Sequence, residues 1–225
     1  MADDGLAARL ARVDGEIVDA ARAAGRDPAG LTRIVITKFH PAELVRQLAD
    51  LGVRDIGENR HQEAAAKAAE LSDLDLNWHF VGQLQSNKAK AVRRYARAVH
   101  SVDRAGLVEA LAGEPALDVF LELNLTGDPG RGGVDPAALE PLAIQVLATD
   151  GLVLRGVMAV APLGEDADRA FGVLAGVADR IRADHPGAVV LSAGMSGDLE
   201  AAIRNGSTCV RVGTALLGDR RLASQ

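Results

Sequence analysis

Short runs rich in β-branched residues alternate with longer amphipathic stretches along almost the whole chain. The first run covers residues 31–37, and Pro41 then opens a helical stretch that Gly52 ends before a second run at 53–57. Proline is favoured in the first turn of a helix and glycine just past its end, so these two residues mark the helix boundaries. About eight such strands alternate with helices, which is the number that closes a parallel barrel. The pattern predicts an α/β fold, a TIM-like (β/α)8 barrel.

The other predicted strands cover residues 77–81, 98–102, 118–125, 152–160, 188–192 and 209–212. A helix precedes the first strand, because Leu6, Leu10, Val13, Ile17 and Ala20 fall on one helical face. An open, doubly wound sheet is the competing architecture, but no Gly-x-Gly-x-x-Gly sequence follows the first strand. No linker or shift in composition marks a second domain. Residues 1–225 are therefore interpreted as one barrel domain.

The composition limits the partners and the compartment of the protein. Hydrophobic residues make up 48% of the chain but aromatic residues only 3%, which suits parallel strands covered on both faces by small branched side chains. The net charge of -6 argues against a nucleic-acid partner, which requires a basic surface. Cys209 is the only cysteine, so no intramolecular disulfide can form. Without an apolar signal core or a run of roughly 18 apolar residues, we expect a cytoplasmic protein with no membrane partner.

The loops after the seventh and eighth strands predict a phosphate site. Functional residues of such barrels follow the C-terminal ends of the strands, and these two loops commonly hold a phosphate. Met195 and Ser196 stand among small residues before a helical stretch, and we expect Ser196 to be the N-cap of that helix. Gly213 gives a ligand access to the backbone after the eighth strand, and the Thr214 hydroxyl can donate to a phosphate oxygen.

Lys38 follows the first strand, at the same end of the predicted barrel as the phosphate site. Most lysines are simply exposed, but burial at the barrel mouth would favour the neutral amine that attacks an aldehyde to form an imine. A phosphorylated aldehyde with a lysine partner indicates either pyridoxal 5'-phosphate (PLP) or a phospho-sugar in a Schiff-base aldolase. An aldolase would more naturally carry its lysine on a late strand, and residues 155–160 contain none.

Arg211 alternates with Val210 and Val212, so its side chain is expected to point into the barrel. There it would face the pyridine nitrogen of PLP. A guanidinium cannot accept a proton, so it would leave that nitrogen unprotonated and weaken the electron sink that most PLP enzymes use. His79 lies on a buried strand and is interpreted as structural rather than as an acid or base. No histidine spacing matches a zinc site, so no metal is expected.

The chain resembles the pyridoxal phosphate homeostasis proteins from the first strand to Gly218. The resemblance rests on Thr37 and Lys38 with Pro41, on Pro162, and on the segments GENRHQE (57–63), WHFVGQLQSNK (78–88), SVD (101–103), RGVM (155–158), GMSGD (194–198) and GSTCVRVGT (206–214). So many ordered matches are very unlikely to arise by chance. The resemblance implies a barrel of the type found in the N-terminal domain of alanine racemase, without the second domain that completes the racemase site.

The resemblance also assigns roles to the residues of the predicted site. By position, Lys38 matches the lysine of the Schiff base, and Arg211 matches the residue that faces the pyridine nitrogen. Ser196 with Gly213 and Thr214 matches the phosphate cradle, which Met195 adjoins. Asn59 matches a position beside the cofactor, where it could hydrogen-bond the ring substituents.

Two positions depart from the pattern of the family. Members often carry a second lysine two residues after the Schiff-base lysine and another in the loop after the fifth strand. This chain has His40 and Arg131 at those positions. Neither side chain can form an imine, so transfer of the cofactor to an auxiliary lysine at either place is in doubt, whereas binding through Lys38 is not affected.

The leading functional hypothesis is a non-enzymatic PLP carrier that buffers the cofactor and passes it to apo-enzymes that depend on it. The barrel alone offers no obvious acid or base opposite Lys38, which two-sided proton transfer in racemisation requires. A weak amino-acid racemase is the alternative, a Schiff-base aldolase is a second enzyme class, and a pure interaction module is a third reading. No coiled-coil heptads occur, and a monomer is expected.

Overall fold

The computed structural model describes residues 4–128 and 130–218, and the described strands form one closed parallel barrel. Its strand order follows the sequence, from β1 to β8, and β8 pairs with β1 to close the ring. The strands are β1 Thr32–Ile36, β2 Asp55–Glu58, β3 Asn77–Phe80, β4 Ala96–Val102, β5 Leu117–Glu122, β6 Leu152–Met158, β7 Val190–Ser192 and β8 Cys209–Val212. The predicted (β/α)8 barrel is confirmed.

Helices connect successive strands on the outside of the barrel, as parallel strands require crossover connections. Their bounds are α1 Asp4–Ala23, α2 Ala42–Asp50, α3 His61–Glu70, α4 Ala89–Val92, α5 Ala105–Leu111, α6 Leu139–Leu147, α7 Ala167–Asp184, α8 Leu199–Arg204 and α9 Thr214–Leu217. Pro41 is the N-cap of α2, and Gly52, with a positive φ of 87°, follows its end, as the sequence predicts. Among the described residues, no helix is long and apolar enough to cross a membrane.

The first helix lies outside the repeating units and packs against the last two helices of the barrel. Leu6, Leu10, Val13 and Ile17 are buried, as their spacing predicts. The apolar face ends in Ala21, which is fully buried, whereas Ala20 is only half-buried. The helix therefore contributes its apolar stripe to the same core cluster that receives Val210 and Leu216 from the C-terminal part of the barrel.

Strand 5 is shorter than its apolar run predicts, because a polar turn ends it. The structure ends β5 at Glu122, although the sequence predicts a strand over 118–125. Asn124 Oδ1 accepts hydrogen bonds from the backbone N–H of Thr126 at 2.9 Å and from its hydroxyl at 2.7 Å. Such side-chain bonds to the backbone two residues on compete with strand pairing. The strand therefore stops early, and Glu122 becomes its last residue.

Candidate functional site

A cavity of about 320 Å³ opens at the C-terminal ends of the strands. Its lining includes all seven residues that the sequence predicts for the site, and six others. The predicted residues are Lys38, Asn59, Met195, Ser196, Arg211, Gly213 and Thr214, and the others are Ile36, Val81, Glu122, Met158, Val160 and Gly197. The barrel thus brings together residues that lie far apart in the chain, such as Lys38 and Thr214, which are 176 positions apart.

Lys38 lies at the rim of this cavity, on the turn between β1 and α2. The prediction that Lys38 is buried is wrong, because its side chain is exposed. The chain turns at once after Thr37, whose buried hydroxyl donates to Glu58 Oε1 at 2.6 Å, and the turn carries the next residue outward. Phe39 then adopts a left-handed φ of 69°, which is uncommon for a residue with a side chain. The amine is therefore accessible to a ligand entering from solvent.

A buried ion cluster fixes the backbone next to Lys38. The Lys67 ammonium donates to the Thr37 carbonyl at 2.8 Å, to Glu58 Oε1 at 2.6 Å and to Glu63 Oε1 at 2.8 Å. Burial raises the pKa of Glu58, against the opposing effect of its hydrogen bonds from Lys67 and Thr37. Because Lys67 uses its three donors in this cluster, it supports the lysine of the site rather than competing with it.

The two loops of the predicted phosphate site contact each other through Ser196. The prediction that Ser196 caps the following helix is wrong, because α8 begins later and Asp198 occupies its N-cap position. The Ser196 hydroxyl instead accepts a hydrogen bond from the Ala215 backbone N–H at 3.1 Å, in the first turn of α9. Asp198 Oδ1 accepts from the Met195 backbone N–H. These bonds tie the loop after β7 to the loop after β8.

The same loops present backbone donors that fit a phosphate. Among the residues that the structure describes, the N–H groups of Ser196, Gly197, Gly213 and Thr214 have no acceptor. All four residues line the cavity, and the hydroxyl groups of Ser196 and Thr214 add two further donors. Successive backbone N–H groups in such turns form concave sites that attract anions. The donor set therefore fits the phosphate group of PLP, and Lys38 at the same rim fits its aldehyde.

Arg211 forms the floor of the cavity and points into the barrel, as the sequence predicts. Its side chain is buried, and its guanidinium donates to the Ser192 carbonyl at 2.8 Å, to Ser192 Oγ at 2.7 Å and to the Ala159 carbonyl at 2.9 Å. Burial lowers the pKa of Arg211 from its ordinary value, but a guanidinium stays protonated in proteins. The cavity floor is thus a fixed cation.

Glu122 is a cavity residue that the sequence reasoning missed. Burial and, to a smaller extent, the nearby Asp103 raise its pKa to about 7, against the opposing effect of Arg211. A signal in the sequence could have found it. Glu122 shares the two-residue period of strand 5 with Phe120, whose ring stacks on the interior His100, so both side chains face inward. Glu122 therefore adds a titratable carboxyl group to the cavity, on a strand that lies across the ring from β1.

The remaining predictions concern residues outside the lining of the cavity. His79 has a hydrogen-bond partner at each ring nitrogen, in Asp55 and His100, which suits its structural interpretation. His40 and Arg131 are not lining residues either, and neither supplies an amine to the site. Over residues 4–128 and 130–218, no group of three or more His, Cys, Asp or Glu side chains could hold a metal ion.

The fold and the cavity define a class of protein, the (β/α)8 barrels of the alanine racemase N-terminal type. The model of the family "Alanine racemase, N-terminal domain" matches residues 36–221. The crystal structure of alanine racemase from Corynebacterium glutamicum superimposes with a TM-score of 0.71, at 16% identity, over 99% of this chain and 63% of that one. At this identity the likeness concerns the fold alone.

Closer relatives specify the family within that class. A pyridoxal phosphate homeostasis protein of Mycobacterium tuberculosis is 45% identical over 240 residues, which cover 96% of this chain and 93% of the relative. The structure of PipY from Synechococcus elongatus with PLP bound superimposes with a TM-score of 0.82, at 36% identity, over 95% of this chain and all of that one. The chain belongs to the pyridoxal phosphate homeostasis protein family.

Proposed function

We propose that this protein binds PLP as a Schiff base on Lys38 and serves PLP homeostasis, by buffering the cofactor and delivering it to apo-enzymes. The observation that carries the proposal is the composition of the cavity at the barrel mouth. One space of about 320 Å³ combines an accessible amine, a buried guanidinium and two loops with free backbone donors. These are the three kinds of group that an aldehyde, a pyridine ring and a phosphate require.

Each site residue has a role in holding the cofactor. Lys38 supplies the amine that condenses with the aldehyde. Ser196, Gly213 and Thr214 bind the phosphate through hydroxyl and backbone donors, and Met195 adjoins them. In addition, Asn59 hydrogen-bonds the ring substituents, and Arg211 faces the pyridine nitrogen. When bound, PLP contributes an electrophilic aldehyde and an aromatic ring that can delocalise electrons.

A carrier role follows from the charge on the cavity floor. Arg211 is fixed by three hydrogen bonds and cannot receive a proton, so it keeps the pyridine nitrogen unprotonated and the electron sink weak. A site of this kind stores a reactive aldehyde without promoting carbanion chemistry. The protein acts as a single-domain monomer in the cytoplasm, and its partners are PLP and PLP-dependent apo-enzymes.

Absorption spectroscopy with lysine variants tests the covalent link. The chain contains four lysines, Lys38, Lys67, Lys88 and Lys90. On titration with PLP we expect the wild type and the control Lys90→Ala, an exposed lysine on α4 outside the cavity, to develop a visible band that borohydride bleaches. Lys38→Ala should lack the band. It should still bind PLP at the same site, in competition with inorganic phosphate. A Lys38→Ala protein with an unchanged band would contradict the proposal.

A weak racemase is the second candidate, and Glu122 is the observation that favours it. This carboxyl group lies in the cavity on β5, across the barrel from the strand that precedes Lys38. A pKa of about 7 suits either a general acid or a general base near neutral pH. The measurement that decides between the carrier and the racemase is exchange of the α-proton of alanine in deuterated water. It is compared between wild type and Glu122→Gln. The carrier role predicts no enantiomer turnover in either protein, and turnover that depends on Glu122 would establish the racemase.

A further inference from the structure

A continuous row of hydrogen bonds crosses the interior of the barrel beneath the cavity and ends at Arg211. His79 Nε2 lies 3.0 Å from Asp55 Oδ1, and His79 Nδ1 lies 3.0 Å from His100 Nε2. His100 Nδ1 lies 3.0 Å from Ser192 Oγ, which accepts from Arg211 at 2.7 Å. The five residues come from β2, β3, β4, β7 and β8. We call them the interior chain.

An ionised Asp55 beside a neutral His79 gives every bond in the interior chain a direction. A carboxylate only accepts, so His79 carries a proton on Nε2, and the neutral ring then accepts at Nδ1. His100 then donates from Nε2 and accepts at Nδ1, and the Ser192 hydroxyl donates to that Nδ1. The Ser192 oxygen keeps lone pairs for the Arg211 guanidinium. The reverse direction would require an additional proton on His79.

The surroundings of His100 favour its neutral form. His100 is fully buried, and its ring stacks on Phe120 with 4.1 Å between ring centroids. Burial holds the pKa of His100 well below its ordinary value, and the charge of Arg211 acts in the same direction. Burial opposes ionisation of Asp55, but hydrogen bonds from His79 and Asn77 and the charge of Arg33 outweigh it, so the pKa of Asp55 is lowered.

The interior chain does not conduct protons to the cavity, because its last member is a guanidinium that does not release one. Instead, it fixes the orientation of the Ser192 hydroxyl and, through it, of the Arg211 guanidinium. With its own proton directed to His100, the Ser192 hydroxyl presents its lone pairs to Arg211. Without that acceptor the hydroxyl is free to rotate, and one of the three bonds that hold the guanidinium is weakened. Polar networks in a low-dielectric interior fix geometry in this way when every member is satisfied.

We propose that His100 is a positioning residue of the cofactor site, which acts through Ser192 to hold the Arg211 guanidinium in register with the ring of the ligand. The inference rests on the proposed function, since the ligand whose ring Arg211 faces is PLP. It assigns a purpose to a polar row in the centre of a barrel that is otherwise filled mainly by apolar side chains. A merely structural histidine would support the fold and leave the selectivity of the cavity unchanged.

The test compares two probes, PLP and inorganic phosphate, on the full-length protein. In His100→Phe, which retains the ring stacked on Phe120, and in Ser192→Ala, we expect PLP to bind roughly tenfold more weakly. Inorganic phosphate uses the Ser196 and Thr214 loops, which are distant from the substituted residues. Its affinity should therefore stay within about twofold of the wild-type value. The double variant should lose no more PLP affinity than either single variant. His100→Asn keeps an acceptor near the position of Nδ1. It should therefore recover part of the PLP affinity that His100→Phe loses.

The control variant is His185→Gln at the end of α7, where the imidazole contacts Glu140 on the outside of the barrel. It should bind both probes as the wild type does. If folded His100→Phe loses affinity for both probes equally, or for neither, the positioning role is overturned.

Nitrogen NMR of the wild-type protein tests the same inference if the variants fail to fold. The spectrum should show His100 protonated at Nε2 and free at Nδ1, and the opposite tautomer would overturn the interior chain as described. This measurement needs no ligand. A wild type with the expected tautomer that binds phosphate but no PLP would overturn the proposed function instead, so the two failures are distinguishable.

Discussion

The charged residues of the site differ in how firmly the protein holds them. Arg211 is buried to 4% exposure and bonded on two of its nitrogens, whereas the Lys38 amine is exposed at the rim. A buried cation is costly unless hydrogen bonds and opposite charges compensate for lost water. The carboxylate of Asp198, and that of Glu122 when it is ionised, favour the charged form of Arg211. Arg211 is thus preorganised for its proposed contact with the ring, and Lys38, the proposed covalent partner, remains accessible.

Glu122 should make the stability of the ligand-free protein depend on pH. Its pKa rises from an ordinary 4.5 to about 7 on folding, so the folded state favours the protonated carboxyl. That contribution is complete below about pH 4.5 and is lost as pH rises through 7. The quantity to compare is the difference in unfolding free energy between Glu122→Gln and wild type. We expect this difference to shift by about 1 to 3 kcal/mol in favour of Glu122→Gln between pH 4.5 and pH 8. Urea unfolding at both pH values measures the shift.

An equal difference between wild type and Glu122→Gln at pH 4.5 and at pH 8 would contradict the assignment. It would mean that the carboxyl group titrates alike in the folded and unfolded chains. Other groups that titrate in this range are present in both proteins and cancel to first order in the comparison. Asp103 is the exception, because its charge contributes to the pKa of Glu122.

At the scale of elements, the site depends on loops that meet each other after the strands end. The loop after β3 approaches the backbone after β2 so closely that a Cβ built on Gly82 would lie 2.2 Å from the Asn59 carbonyl oxygen. The loop after β7 bonds the first turn of α9 through Ser196. These contacts place Asn59, Ser196 and Thr214 around one cavity. Rigid strands and mutually bonded loops therefore act together in forming the site.

Gly82→Ala should disrupt the position of Asn59 as well as the fold. The added methyl group meets backbone atoms, which cannot move aside as a flexible side chain could. We expect a loss of roughly 2 kcal/mol or more in the free energy of unfolding, together with weaker PLP binding. Gly106→Ala is the matched control, because no atom lies within 4 Å of its new Cβ, and it lies on α5. There alanine should stabilise by about 0.4 to 1 kcal/mol. Equal effects of the two substitutions would contradict the close contact.

The sequence predicts a feature correctly when the residues that cause it are neighbours in the chain. The β-branched run before Lys38 and the Pro41 and Gly52 boundaries are local signals, and the structure agrees with them. Ser196 was assigned wrongly because its partner, Ala215, is 19 residues away in another loop. The exposure of Lys38 depends on a turn held by Lys67, which no neighbouring residue indicates. Glu122 was overlooked, although the period of its strand places it inside.

At the scale of the whole molecule, residues that follow the first and the last strands of the barrel meet at one cavity. Closure of β8 on β1 places the loop after β8 beside the strand that precedes Lys38. An open sheet with the same strand order would leave these edges apart, so closure is what forms the site. A ligand that bridges the two edges should therefore stabilise the entire barrel rather than one loop.

PLP should raise the melting temperature of the protein. At a free concentration of 100 times Kd, binding contributes about 2.7 kcal/mol, which corresponds to roughly 5 to 10 °C for a domain of this size. Lys38→Ala should show a clearly smaller rise at the same concentration, because it retains the phosphate contacts alone. Differential scanning calorimetry measures both. The same rise in the two proteins would mean that Lys38 contributes nothing to binding.

Peptide mapping of the reduced adduct identifies the lysine that binds PLP. The wild-type protein is loaded with PLP, reduced with borohydride, digested and sequenced by mass spectrometry. Each of the four lysines falls in a distinguishable peptide. We expect the phosphopyridoxyl group to be attached to Lys38. Its attachment to Lys67, Lys88 or Lys90 instead, with Lys38 unmodified, would contradict a Schiff base on Lys38.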